Sequence, residues 1–235
     1  MKMQISSILN KAVFSCMLLL LLTQSSCGQQ GVPVQHSKTF QEMTGRKGIT
    51  PGNKTETVPR DTATFAAGCF WCVEEQFRQL DGVLEVVSGY TGGHTVNPGY
   101  RSVSGGTTGH AEACNIIYDP RRISYDALLA AFFVAHDPTT LNRQGNDAGT
   151  QYRSAVFYHN EIQRTLAAYY IKRLNEEHVY PGAIVTAVEP FSVFYMAEAA
   201  HQDYYANNPE VPYCRMVIKP KRDKFREVFK AQLKQ

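Results

Sequence analysis

The chain has no cluster of lysine and arginine interleaved with aromatics, so no nucleic-acid surface is expected. A net charge of +3 singles out no class of partner. The basic stretch Lys219-Pro220-Lys221-Arg222-Asp223-Lys224 reads as a solvated face rather than a binding patch. No apolar run reaches the ~20 residues that a transmembrane helix needs. There is a single Cys-x-x-Cys, formed by Cys69 and Cys72, and no paired-His motif beside it. A zinc site built on that pair with His94 or His110 is therefore disfavoured, and no metal or other cofactor is expected. No internal repeat is present, which excludes solenoids and propellers. With 43% hydrophobic and 11% aromatic residues, the 235-residue chain can build one substantial domain behind a leader.

The leader is residues 1–27. Lys2 and Lys11 form a positive flank, and the apolar core from Ala12 to Leu22 has the length of a secretory signal. Ser25-Ser26-Cys27-Gly28 resembles a bacterial lipoprotein cleavage box, in which the Cys becomes lipidated, although Gln24 stands where an aliphatic residue is usual. The protein is expected to be exported to a bacterial cell envelope, either periplasmic or lipid-anchored through Cys27, with no other contact to the membrane. Cys16 leaves with the leader. Residues 28–61 lack sustained periodicity, are dominated by Gly, Pro, Thr, Lys and Gln, and read as a linker.

The remainder is organised around Gly68-Cys69-Phe70-Trp71-Cys72-Val73-Glu74, which holds the only Trp in the chain. The apolar run 62–67 before it reads as a buried strand. After it, Val73, Phe77 and Leu80 fall on one helical face. Cys69 is thus expected where a strand turns into a helix, with Gly68 allowing the turn. Unpaired N–H groups at a helix start favour a thiolate, the nucleophilic form of Cys. Cys69 is the candidate nucleophile.

Strands are expected at 62–67, 83–90, 112–119, 153–158 and 184–189, and helices at 70–80, 124–136 and 161–178. Ser124 is the N-cap of the second helix, whose buried face is Leu128, Leu129, Phe132, Phe133 and His136. In the third helix the buried face is expected to be Ile162, Leu166, Tyr169, Tyr170 and Leu174. The alternation of elements predicts an α+β fold, a two-layer sandwich around a mixed sheet with ferredoxin-like βαβ units. The catalytic domain is expected over 62–220, followed by a basic tail at 221–235. Two long loops, 91–111 and 137–152, carry glycines with aromatic and ionisable residues and are read as functional.

Several motifs in order resemble the peptide methionine sulfoxide reductase A family. They are Gly68-Cys69-Phe70-Trp71 with Glu74, Gly89-Tyr90-Thr91-Gly92-Gly93, Asn97-Pro98-Gly99-Tyr100, Thr108-Gly109-His110-Ala111-Glu112, His136-Asp137-Pro138-Thr139, Arg143-Gln144-Gly145-Asn146-Asp147, Gly149-Thr150-Gln151-Tyr152-Arg153-Ser154 and His201-Gln202. The likeness runs from about Thr64 to about Pro220. It implies reduction of the S epimer of methionine sulfoxide, free or in proteins, with thioredoxin or a similar dithiol as electron donor and no metal.

By this resemblance Cys69 attacks the sulfoxide sulfur, Glu112 donates the proton, Tyr100 and Tyr152 hold the oxygen, and Asp147 completes the polar side. Phe70 and Trp71 form the apolar wall for the S-methyl group. A carboxyl that donates at neutral pH needs a raised pKa, so Glu112 is expected to be desolvated. Without the resemblance, Glu112 reads as an ordinary strand residue, Asp147 as a turn residue and the two tyrosines as amphipathic. The sulfenic acid left on Cys69 condenses with a second thiol. Cys214, in a tail able to fold over the site, is the first candidate and Cys72 the alternative; Cys114 reads as core.

Three other readings compete. A dithiol–disulfide oxidoreductase would use Cys69 and Cys72 directly, but leaves Glu112, Tyr100 and Tyr152 without a task. A zinc site lacks ligands. A lipid-anchored binding module would require Cys69 to be inert. A monomer is expected.

Overall fold

The computed structural model describes residues 58–235. The expected signal, Cys16, Cys27 and almost all of the expected linker lie outside these residues. No helix among the described residues is long and apolar enough to cross a membrane.

Strand β1 (Asp61–Ala67) leads into helix α1 (Phe70–Phe77), β2 (Val83–Thr91), the short α2 (Tyr100–Ser104), β3 (Ala111–Tyr118) and α3 (Tyr125–Ala135). A small hairpin of β4 (Arg143–Gln144) and β5 (Asp147–Ala148) precedes β6 (Ser154–Tyr158), α4 (Glu161–Glu176), β7 (Ala187–Pro190) and β8 (Phe194–Met196). The chain closes with α5 (Tyr204–Asn207), a π-turn at Cys214–Ile218 and α6 (Lys219–Val228). The main sheet has the order β7-β6-β1-β3-β2-β8. Every pairing is antiparallel except β6 with β7. Strands β1 and β2 both run antiparallel to the β3 between them, so they are parallel to each other and α1 is the crossover of a split βαβ unit. The expected mixed sheet of α+β type is present.

Strand β1 sits inside the sheet, and its side chains alternate between two covered faces. Phe65 points to the helices, 5.8 Å from the Phe77 ring of α1 and 4.9 Å from the Phe132 ring of α3. Ala66 lies on the other face, in a core with Ala111, Ala113, Ala155 and Phe157 that Phe191 and Phe194 cover. Small residues on that face let the 191–194 segment approach closely. The Ser124 hydroxyl accepts the Ala127 N–H and caps α3 as the sequence suggests.

Three expectations are corrected. Helix α1 ends at Phe77, and Leu80 instead bridges to Leu233. The buried side of α4 is Gln163, Ala167, Tyr170 and Leu174, while Ile162 is 73% and Tyr169 44% exposed. The cause is Gln163, a polar residue that hydrophobic counting leaves out. Its carboxamide accepts the His159 N–H and donates to the Thr62 carbonyl, tying α4 to the start of β1. Finally, residues 221–235 are not a tail. Phe225 is buried, 6.0 Å from the Phe77 ring and 4.6 Å from that of Phe229, so α6 packs on α1. The expected loops also contain structure, α2 in one and the β4–β5 hairpin in the other.

Phe225→Ala should therefore cost about 3 kcal/mol in denaturant unfolding, as for other buried aromatics. A loss below about 0.5 kcal/mol, typical of a surface change, would return α6 to the status of a tail.

Candidate active site

The turn between β1 and α1 requires glycine. Gly68 has φ +85°, and a Cβ there would lie 2.6 Å from the Gln144 side chain. Gln144 is itself fixed, accepting the Asp137 N–H and donating to the Asp137 carbonyl. The loop 137–152 is thus pressed directly onto the glycine before Cys69. On the other side Arg153 donates to the carbonyls of Gly92, Gly109 and Thr150. One guanidinium joins both long loops, and this brings Tyr100, Asp147 and Tyr152 to one place.

Cys69 caps α1 and is 5% exposed. Its position is the expected one, but its ionisation is not. Burial, reinforced by a hydrogen bond to Cys72, pushes the Cys69 thiol well above its ordinary value. The start of α1 opposes this only weakly, through the Cys72 N–H, and its Phe70 N–H donates instead to Glu112 Oε2 at 3.1 Å. Glu112, on β3, is 1% exposed. Burial first, then the charge of Cys69, raises its carboxyl well above the carboxylate range, and the Phe70 N–H only partly opposes this. Burial thus favours the protonated form of Glu112.

The two predicted tyrosines face this carboxyl. Burial raises both phenols, and Glu112 is the next contributor to each. Tyr100 is oriented from its backbone, whose N–H donates to Glu198 Oε1 at 2.8 Å, while Glu198 Oε2 accepts from Tyr90. Asp147 accepts the Tyr213 hydroxyl at 2.7 Å. The Phe70 and Trp71 rings lie 6.0 Å apart. Tyr204 stacks on Trp71 at 3.7 Å with the planes 8° apart, and His201 and Tyr100 lie near-parallel to the indole. The segment after β8 thus folds over the indole.

Cys69, Cys72 and Cys214 form one buried cluster, packed by Trp71, Tyr204 and Tyr213. All four described cysteines are free thiols. The Cys69 thiol donates to Cys72, which lowers the Cys72 value against burial, and the nearby Lys221 ammonium lowers it further. Burial raises Cys214 instead. Cys114 is buried on β3, donating to the Phe70 carbonyl. The histidines considered as zinc ligands have other tasks. His110 accepts the Gly93 N–H at Nδ1 and meets the Thr95 carbonyl through Nε2, and His94 lies against Gly109. No group of three or more candidate metal ligands occurs among the described residues.

Reading residues by type missed Tyr204, Tyr213, Glu198 and Lys221. Each lies in a region read as a tail or carries no motif of its own. Glu74 and His201 appear only as motif letters. The structure places Glu74 under the covering segment, where Oε1 accepts the Asp203 N–H at 2.9 Å. Asp203 has φ +52°, a left-handed conformation that this contact holds just before α5.

Burial pushes Glu74 up to about 7. An unfolded Glu titrates near ~4.3, so the stability Glu74 contributes is full below that value and lost as pH rises through about 7. The stability of the native protein relative to Glu74→Gln should fall by on the order of a few kcal/mol between pH 4 and pH 9. A difference that does not change with pH in parallel denaturant titrations would refute this.

A family model described as peptide methionine sulfoxide reductase matches residues 61–233. A peptide methionine sulfoxide reductase MsrA of Deinococcus radiodurans is 48% identical over 207 residues, 88% of this chain and 97% of the relative. One from Natronomonas pharaonis is 53% identical over 72% of this chain and 94% of its own length. Among solved structures, reduced Mxr1 from Saccharomyces cerevisiae is 34% identical with a TM-score of 0.63, covering 71% of this chain and 95% of that one.

Proposed function

We propose a division of labour among the site residues from a premise now established: the chain belongs to the peptide methionine sulfoxide reductase family and is an oxidoreductase that reduces methionine sulfoxide to methionine. The observation that carries the proposal is the buried Glu112 on the Phe70 N–H, its carboxyl raised by burial, beside the Cys69 thiol and two raised phenols.

A sulfoxide has a positive sulfur and a negative oxygen. Cys69 attacks the sulfur while its proton passes along the hydrogen bond to Cys72. Glu112 gives its proton to the oxygen, and the Tyr100 and Tyr152 hydroxyls hold that oxygen as donors. The oxygen ends on Cys69 as a sulfenic acid, and methionine leaves with its sulfur reduced by two electrons. Phe70 and Trp71 take the S-methyl group, with Asp147 on the polar side. The handed arrangement of one methyl wall and one oxygen cradle supports selection of the S epimer.

Cys72 then attacks the Cys69 sulfur. The S–O bond breaks, water departs and a disulfide remains. Position in the sequence favours Cys214 for this step; the hydrogen bond to Cys69 and the lowered value favour Cys72. Cys214, packed in the same cluster, is the second reading. A thioredoxin-like dithiol returns the disulfide to thiols by exchange. The leader and the Cys27 box support work in the cell envelope, on exported proteins with oxidised methionines. Direct dithiol exchange by Cys69 and Cys72 is less well supported, because it leaves the Glu112 and tyrosine cradle unused.

Single-turnover reduction of the two separated epimers tests the scheme. Methionine should form from the S epimer only, with two thiols lost. Cys72→Ser should still yield that methionine, more slowly because the Cys69 proton loses its acceptor, and should leave a sulfenic acid, whereas Cys214→Ser should keep the full loss of thiols. The reverse pattern would move resolution to Cys214, and equal rates on both epimers would overturn the assignment. Glu112→Gln should slow methionine formation by roughly 10²–10⁴-fold. The native rate should fall as pH rises through the raised Glu112 value, because the donor proton is then lost.

A further inference from the structure

Helix α6 carries five basic side chains in eight residues, Lys219, Lys221, Arg222, Lys224 and Arg226. Three of them are held by ordinary polar partners. Lys219 pairs with Asp223, Arg222 with Asp223 and Tyr205, and Arg226 donates to Gln79. Lys224 is exposed. Lys221 differs. Its hydrogen-bonding partner is sulfur: Nζ lies 3.9 Å from Cys72 Sγ.

We propose that Lys221 is a positioning residue for the resolving step, its ammonium holding Cys72 as the thiolate that attacks oxidised Cys69. The inference rests on the reading of Cys72 as the resolving thiol. Cys72 is 2% exposed, so a negative charge there has almost no water to stabilise it. A cation from a neighbouring helix supplies what solvent cannot. Cys72 also lies within the first turn of α1, where backbone N–H groups favour an anion. The other groups facing it are the Cys69 thiol, the Tyr213 hydroxyl, Asp147 and the buried Cys214. Asp147 opposes the thiolate, and the Cys69 and Tyr213 donors support it. Lys221 is the cation whose charge favours that thiolate.

The chemistry explains why help is needed at this step. Transfer of the Cys69 proton leaves Cys72 as a thiol. It must release that proton before it can attack, and a nearby ammonium lowers the cost of doing so. The proton leaves with the departing oxygen as water, so the step balances with no further reagent.

The test uses the reduced full chain with Lys221→Gln, Lys221→Arg and, as a control, Lys224→Gln on the exposed face of the same helix. Cys72 alkylation by iodoacetamide is followed against pH by peptide mass spectrometry. The sulfenic acid is trapped with dimedone after one equivalent of S-sulfoxide. In Lys221→Gln the alkylation midpoint should rise by about one pH unit, equivalent to a tenfold loss of thiolate, and trapped sulfenic acid should increase by a similar factor. Raising the pH by one unit should restore resolution. Lys221→Arg should stay near the native values, and Lys224→Gln should match them.

An unchanged midpoint and unchanged trapping in Lys221→Gln overturn the proposal. So does slow resolution that higher pH fails to rescue, since that is a packing defect. If Lys221→Gln does not fold, Lys221→Met decides by the same midpoint: a rise of about one pH unit supports the proposal, and an unchanged midpoint overturns it. Cys72→Ser separates the two layers. If it loses two thiols at the native rate, the reading of Cys72 as resolving thiol fails. If it accumulates sulfenic acid while Lys221→Gln behaves as native, only the role of Lys221 fails.

Discussion

The hydrogen bond from the Phe70 N–H to Glu112 joins the first turn of α1 to the middle of the sheet, and the site is built around it. It takes an N–H that no helical partner can satisfy and gives it to a carboxyl that no water can reach. The same contact fixes the distance between the strand carrying Glu112 and the turn carrying Cys69. Burial among aromatic rings and other thiols keeps the Cys69 thiol raised, although the Cys72 N–H and the Tyr213 hydroxyl both favour its anion. Burial thus favours the protonated forms of Cys69 and Glu112, while the Cys69 hydrogen bond and Lys221 favour the anion on Cys72.

A second constraint is mechanical. Tyr100, Asp147 and Tyr152 come from two loops that share no strand. Arg153 accepts no alternative arrangement easily, because its three carbonyl partners belong to both loops. Gln144 does the same for the approach of the second loop to Gly68. The loops are therefore a rigid frame built from backbone carbonyls and two polar side chains, with little apolar burial of their own.

These two kinds of constraint decide what can be read from the chain without its structure. Periodicity identifies β1, α1 and α3 because apolar burial places them, and Ser124 is legible as a cap because its neighbours leave it no other task. It misassigns the buried face of α4, where Gln163 is buried for its hydrogen bonds. The grouping of Cys69, Glu112, Tyr100, Tyr152 and Asp147 is visible only through the ordered motifs, since each is unremarkable by type. The region after β8 is least legible. Its aromatics and prolines show no period, and its contacts are single pairs: Glu74 with Asp203, Tyr213 with Asp147, Lys221 with Cys72. Each depends on a partner 66 to 149 residues away, a separation that no local pattern encodes.

The stacking of Tyr204 on Trp71 has a practical corollary. The chain contains one indole, and its ring lies 3.7 Å from the ring at the start of the segment that also carries Tyr213 and Cys214. Its ultraviolet emission therefore comes from one address, at the boundary between the fixed helix and the strand of chain folded over it. A displacement of that segment from the indole would therefore be read directly in the emission, with no label and no second fluorophore of the same kind to blur the signal.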